Sequence, residues 1–99
     1  MNVLRQGVSN ELVLALEVDR ERYPRMEVRF VQNGQTLMIK TAEEGAFEED
    51  GFHLLLREDE TARFSPQRFA MEIWVKNESG SECRRSDSIP GIVDRSGSI

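Results

Sequence analysis

The sequence predicts an all-β domain, a two-sheet sandwich or small barrel of six to seven short antiparallel strands with one short helical turn. Three observations predict it. The dominant hydrophobic period is two, as in strands, and not the helical period. Turn signals (Asn33-Gly34, Asp50-Gly51, Gly80) separate the alternating runs. The chain has 99 residues, 38% of them hydrophobic, which suits one modest core and leaves no room for a second.

Taken in order, Glu11 to Val18 alternates, with Leu12, Leu14, Leu16 and Val18 on one face. The charged stretch Asp19 to Pro24 then reads as a bridge between sheets. Met26 to Val31 places Met26, Val28 and Phe30 inward and Glu27 and Arg29 outward. Asn33-Gly34 is the strongest hairpin signal, because a type I′ turn needs positive φ at both central residues. Thr36 to Thr41 is the return strand, and Phe52 to Leu56 the next one. Glu58 to Phe64 is the only helical candidate; it is too short to stand alone and ends before Ser65-Pro66. Gln67 to Lys76 is the longest alternator, with Phe69, Met71, Ile73 and Val75 on one face and Ala70, Glu72 and Trp74 on the other. Asn77 to Ser81 is a polar turn, and Glu82 to Asp87 a last strand. Residues 1–93 thus form a single domain, and 94–99 are expected to be a mobile tail. The expected core includes Leu14, Val28, Phe30, Leu54, Phe69, Met71 and Ile73, with Phe64 capping its end.

Charge narrows the function. Thirteen bases against eighteen acids give a net charge of −5, and eight of those acids lie between Glu43 and Glu60 with only Arg57 among them. A nucleic-acid partner needs a basic stripe, so none is expected. Eleven of the thirteen bases are Arg, whose planar fork suits carboxylate pairing and interfaces. The charged fraction of 31% and the absence of a long apolar run argue against a membrane partner. Cys83 is the only cysteine and makes no internal disulfide. The first seven residues have no apolar h-region, so the chain is expected to be made and kept in a reducing cytoplasm, or built into something made there.

Chemistry-bearing motifs are sparse. His53 is the only histidine and lies mid-strand without metal-ligand spacing, which reads as a surface histidine. The acidic stretch Glu43 to Asp50 lacks the ligand order of a calcium loop and reads as a solvated loop. Phe47 within it either tucks onto the core or offers a contact. Neither a G-x-S-x-G turn nor a phosphate-binding glycine pattern is present, so no enzyme activity and no cofactor are expected. Trp74, outward if Phe69 and Ile73 face the core, is expected to form a shallow apolar patch with Ala70; these two and Phe47 are the interface candidates. The opposite phase would make Trp74 a sandwich-core tryptophan.

Several stretches resemble a known family. Val3 to Val18 reads V-L-R-Q-G-V-S-N-E-L-V-L-A-L-E-V, and Asp50 to Phe64 reads D-G-F-H-L-L-L-R-E-D-E-T-A-R-F. Arg68 to Lys76 reads R-F-A-M-E-I-W-V-K, and Ser86 to Val93 reads S-D-S-I-P-G-I-V. Together they resemble small phage tail and baseplate proteins, a family that includes the N-terminal domain of the upper baseplate protein of lactococcal phages. The resemblance spans residues 3 to 93, and its most distinctive block is E-D-E-T-A-R-F. It departs at Val8, where the family often has an acid. It implies an immunoglobulin-like sandwich and a non-catalytic virion component of a phage or prophage, made in the bacterial cytoplasm. It also implies that the chain docks onto other virion proteins or onto itself as a homo-oligomer. The alternative is a stand-alone bacterial carbohydrate- or ligand-binding sandwich. Such modules stack sugars on several exposed aromatics, whereas this chain has one Trp, one Tyr and five Phe, mostly on core faces.

Overall fold

The computed structural model describes residues 2–94. The chain forms β1 (Asn2–Arg5), β2 (Asn10–Leu14), β3 (Arg25–Gln32), β4 (Gln35–Thr41), a 3-10 turn (Ala42–Glu44), β5 (Gly45–Glu48), β6 (Gly51–Leu56), α1 (Glu58–Thr61), β7 (Arg68–Lys76) and β8 (Cys83–Asp94). Two sheets result, a five-stranded one in the order β1-β8-β7-β3-β4 and a three-stranded one in the order β2-β6-β5. Their inner faces share one core, a sandwich-like arrangement.

Period two governs which side chains go inward. On β7 every residue from Phe69 to Val75 in that phase is buried, as are Met26, Val28 and Phe30 on β3. Leu14, Leu54, Met71 and Ile73 join them in the core. Asn33 and Gly34 have φ of 54° and 76°, the positive pair that a two-residue hairpin needs, and they join β3 to β4. The 19–24 stretch does pass from one sheet to the other, since it follows β2 and precedes β3.

Five strand expectations are corrected. The described residues hold eight strands, not six or seven, and β1 pairs with β8 in parallel, so the strands are not all antiparallel. β1 has only Leu4 buried, too little alternation to register as a strand in the sequence. β5 occupies part of the stretch expected to be a solvated loop. It is held by its backbone ladder to β6 and by Gly45, where a Cβ would collide with the Phe52 ring. β2 stops at Leu14, leaving Leu16 and Val18 half-buried in the connection. β8 runs on through Pro90 to Asp94, because β1 joins it from Gly91 onward and Gly91 leaves room for the Phe69 ring. Of the tail expected over 94–99, Asp94 closes β8 opposite Arg5, and 95–99 lie outside the described residues.

The connection from β6 to β7 closes one end of the core. α1 is a single turn, shorter than the expected 58–64. Phe64 is fully buried with its ring edge-on to Phe30 (5.8 Å) and Phe69 (5.3 Å), so it fills the space between three elements. Phe64→Ala is therefore expected to cost on the order of 3 kcal/mol, read as a lower urea midpoint at unchanged slope. A change below about 0.5 kcal/mol would mean that the ring is not holding this end together.

Candidate functional site

Two surfaces carry the aromatic residues singled out by the sequence, and they lie on different sheets. Trp74 is on the outer face of the five-stranded sheet, half-buried, in a row with Glu27 on β3 and Arg85 on β8. The Arg29 guanidinium lies over its ring at 4.4 Å from the centroid, and its indole Nε1 donates to Glu72 Oε1 at 3.1 Å. Arg29 is braced in turn: its Nε and Nη2 donate to Glu27 Oε1 at 3.2 and 3.0 Å. Lys76 Nζ donates to Glu27 Oε2 at 3.0 Å. That hydrogen bond from Lys76 holds the Glu27 carboxyl below its ordinary range, with help from Arg29 and against the opposing pull of partial burial.

Ala70 is on the same face but not next to Trp74. Four strand steps separate them by about 13 Å, and Glu72 and Arg29 occupy the intervening row. The shallow apolar patch expected from Trp74 and Ala70 is thus two separate features. Ala70 sits between Val31 and Pro90, while Trp74 sits within a ladder of charges. Ile39 on the edge strand β4, opposite Arg29, is 49% exposed and extends this face.

Phe47 belongs to β5, at the margin of the three-stranded sheet. Its ring packs against Phe52 (4.7 Å between centroids) and remains 36% exposed. The Arg20 guanidinium covers its other side at 4.0 Å. Phe47 lines a cleft of about 600 Å³ between the 15–18 connection and the β5–β6 hairpin. Five acids (Glu17, Glu48, Glu49, Asp50 and Asp87) line that cleft and no base does.

His53 is more than a surface histidine. Its Nδ1 lies 2.9 Å from Glu11 Oε1 on β2 and 3.3 Å from Glu48 Oε2 on β5, and its Nε2 lies 2.5 Å from Asp50 Oδ1 in the turn. Both ring nitrogens face carboxylates, so the imidazolium form is the one that satisfies the geometry. The Asp50 hydrogen bond, followed by the one to Glu11, raises the His53 pKa to about 9. The same bond lowers the Asp50 pKa. Sequence spacing could have suggested the Asp50–His53 pair, but Glu11 reaches the ring only through the cross-strand register that sets Val13 opposite His53. Among the described residues no group of three or more His, Cys, Asp or Glu side chains is arranged to hold a metal ion. No helix among them is long and apolar enough to cross a membrane. Cys83 is an exposed free thiol at the start of β8.

Comparison with protein-family models and with curated proteins finds no match for this chain.

The His53 cluster has a definite pH signature. A folded-state pKa raised from 6.5 to about 9 means a contribution to stability that is complete below pH 6.5 and lost as the pH rises towards 9. Asp50, lowered from 3.8, contributes above that value and loses its contribution as the pH falls below it. The thermal midpoint should therefore decline between pH 6.5 and about 9 in the wild type. In His53→Gln that decline should be largely absent. Parallel pH profiles for the two proteins would show that the cluster is not coupled to folding.

Proposed function

We propose that the chain is a non-catalytic structural protein of a phage or prophage tail or baseplate, and that it works through protein–protein contacts. On this reading its fold is immunoglobulin-like, it is made in the bacterial cytoplasm, and it resides in the virion with other virion proteins or copies of itself. The strand order supports the fold. In immunoglobulin-like sandwiches the second, fifth and sixth strands form one sheet, while the third, seventh and eighth form the other with the extra fourth strand beside the third. The orders β2-β6-β5 and β8-β7-β3-β4 are consistent with that scheme, while β1 lies beside β8 and not in the sheet of β2. The virion role rests on the resemblance, whose most distinctive block supplies α1 and the Phe64 plug.

The observation that carries contact as the mode of action is the Trp74 face. Tryptophan and arginine are the residue types most enriched among interface hot spots, and here Arg29 presents Trp74 within a flat sheet face fringed by exposed Ile39. A non-catalytic role is also supported by His53. Its two nitrogens are engaged by carboxylates and its pKa is near 9, so at neutral pH it has no free lone pair to act as a base.

Sedimentation across a concentration series, with and without purified tail proteins encoded beside the gene, tests the reading. Trp74→Ala should weaken assembly by roughly 2 kcal/mol, about thirtyfold, while the subunit stays folded. A wild type that stays monomeric throughout and sediments apart from every tail protein would overturn it.

A further inference from the structure

We propose that the chain self-associates through the free edge of β2, which pairs antiparallel with β2 of a second copy. The contact lies on the opposite sheet from Trp74 and holds whether or not the chain belongs to a virion.

A stretch of backbone without a partner marks the site. β2 stands at the end of the order β2-β6-β5, because β1, the strand before it, pairs with β8 in the other sheet. Its outer edge is therefore bare. Burial alternates without a break from Glu11 to Val18, with Leu12, Leu14, Leu16 and Val18 on the covered side. The ladder nevertheless stops at Leu14, since β6 begins only one residue before its partner Phe52. Residues 15–18 thus have the side-chain pattern of a strand, and none of their backbone groups bonds to another backbone group among the described residues. Such a row of open donors and acceptors is a template for an added strand.

The other three sheet edges are guarded. β4 points Lys40 inward to Glu60, and β1 and β5 are only four residues long. β2 has neither lysine nor proline, turns Leu12 and Leu14 inward, and pairs with β6 without a bulge. The one open edge that the chain can offer is β2, and the one open edge that it can receive is also β2. A second copy, related by a two-fold axis, is the occupant that satisfies both.

Side-chain pattern and charge set the register of the pair. Residues of the same face must lie opposite each other, since a one-residue slip would set an inward leucine against an outward residue. With the axis at Val13, Leu12 faces Leu14 of the second copy on the inner side, and Glu11 faces Ala15 of the second copy on the outer side. Val13, which is 39% exposed in the single chain, faces its own counterpart. This register also draws Ala15 and Leu16 into the ladder. Moving the axis to Leu14 would set Glu11 against Glu17 and bring like charges together. Moving it to Leu12 would leave residues 15–18 outside the pairing.

Disulfide trapping in a Cys83→Ser background tests the proposal. In a glutathione redox buffer Val13→Cys should yield a linked dimer, because residues opposed across an antiparallel pair have Cα atoms about 4.5–5.5 Å apart. Ala15→Cys should not, because its counterpart lies four residues along the facing strand, about 13 Å away. Sedimentation equilibrium from micromolar to millimolar protein should show a reversible dimer. Val13→Lys, which sets like charges on the axis, should weaken that dimer about fivefold and leave the subunit folded. Trp74→Ala should leave the Val13→Cys disulfide yield unchanged, so that failure of this contact and failure of the Trp74 face are separate results. A wild type that is monomeric throughout, equal yields from Val13→Cys and Ala15→Cys, or a dimer indifferent to Val13→Lys would overturn the proposal. So would amides 11–16 that gain protection from hydrogen exchange only when a different polypeptide is added.

Discussion

The closed end of the sandwich rests on the short connection between β6 and β7. Its residues reach three separate parts of the chain. Thr61 Oγ1 donates to the Val8 carbonyl at 2.9 Å, and Gln6 Nε2 donates to the Phe64 carbonyl at 2.7 Å, which ties in the β1–β2 turn. Gln32 at the end of β3 is bonded both ways to Ser65, its amide donating to the carbonyl and its oxygen accepting from the backbone amide, each at 2.8 Å. Lys40 of β4 forms an ion pair with Glu60, both side chains being about nine-tenths buried. Burial alone would raise the Glu60 pKa. The Arg57 amide and Lys40 outweigh it, so the carboxyl stays below its ordinary range and remains charged. A buried pair of this kind gives little net stability over an apolar substitute, but removing one partner leaves the other charge uncompensated. It also points a lysine inward from an edge strand, a device that discourages unwanted edge pairing.

That constraint explains why the fold was largely legible in the sequence. The distinctive E-D-E-T-A-R-F block supplies Glu60, Thr61 and Phe64, and each contacts a different element. Alternation alone identified β3, β6 and β7, whose inward residues are large and apolar. It failed where a strand is held by something other than buried side chains. β1 and β5 are four residues each, with one buried residue between them. Their places depend on ladders to β8 and β6 and on close approaches at Gly91 and Gly45. Such approaches have no sequence signature beyond the glycine itself, because the partners, the rings of Phe69 and Phe52, are remote in the chain.

The same limit governs the candidate surfaces. Trp74 could be placed outward from the phase of its own strand. What covers it could not, because Arg29 and Glu72 reach it through the pairing of β3 with β7 and along β7 itself. His53 similarly collects carboxylates from β2, β5 and the turn before it, and only Asp50 is near in sequence. Phe47 was legible as an anomaly, an aromatic among acids. Its role needed the position of Arg20, twenty-seven residues away in the chain.

The two arginine–aromatic stacks differ in a way that bears on how each surface is used. Arg29 is held at three points, by the Trp74 ring and by two donors to a single Glu27 oxygen, and Glu27 is itself held by Lys76. Removing it from the ring would break a chain of charge-assisted bonds, so the Trp74 face is preorganised. Arg20 has only the Phe47 ring, at an exposed site, and forms no ion pair among the described residues. A cation–π contact at such a site contributes about 0.5–1 kcal/mol. The two stacks therefore differ in rigidity: Arg29 is fixed by a bonded network and Arg20 by its ring alone.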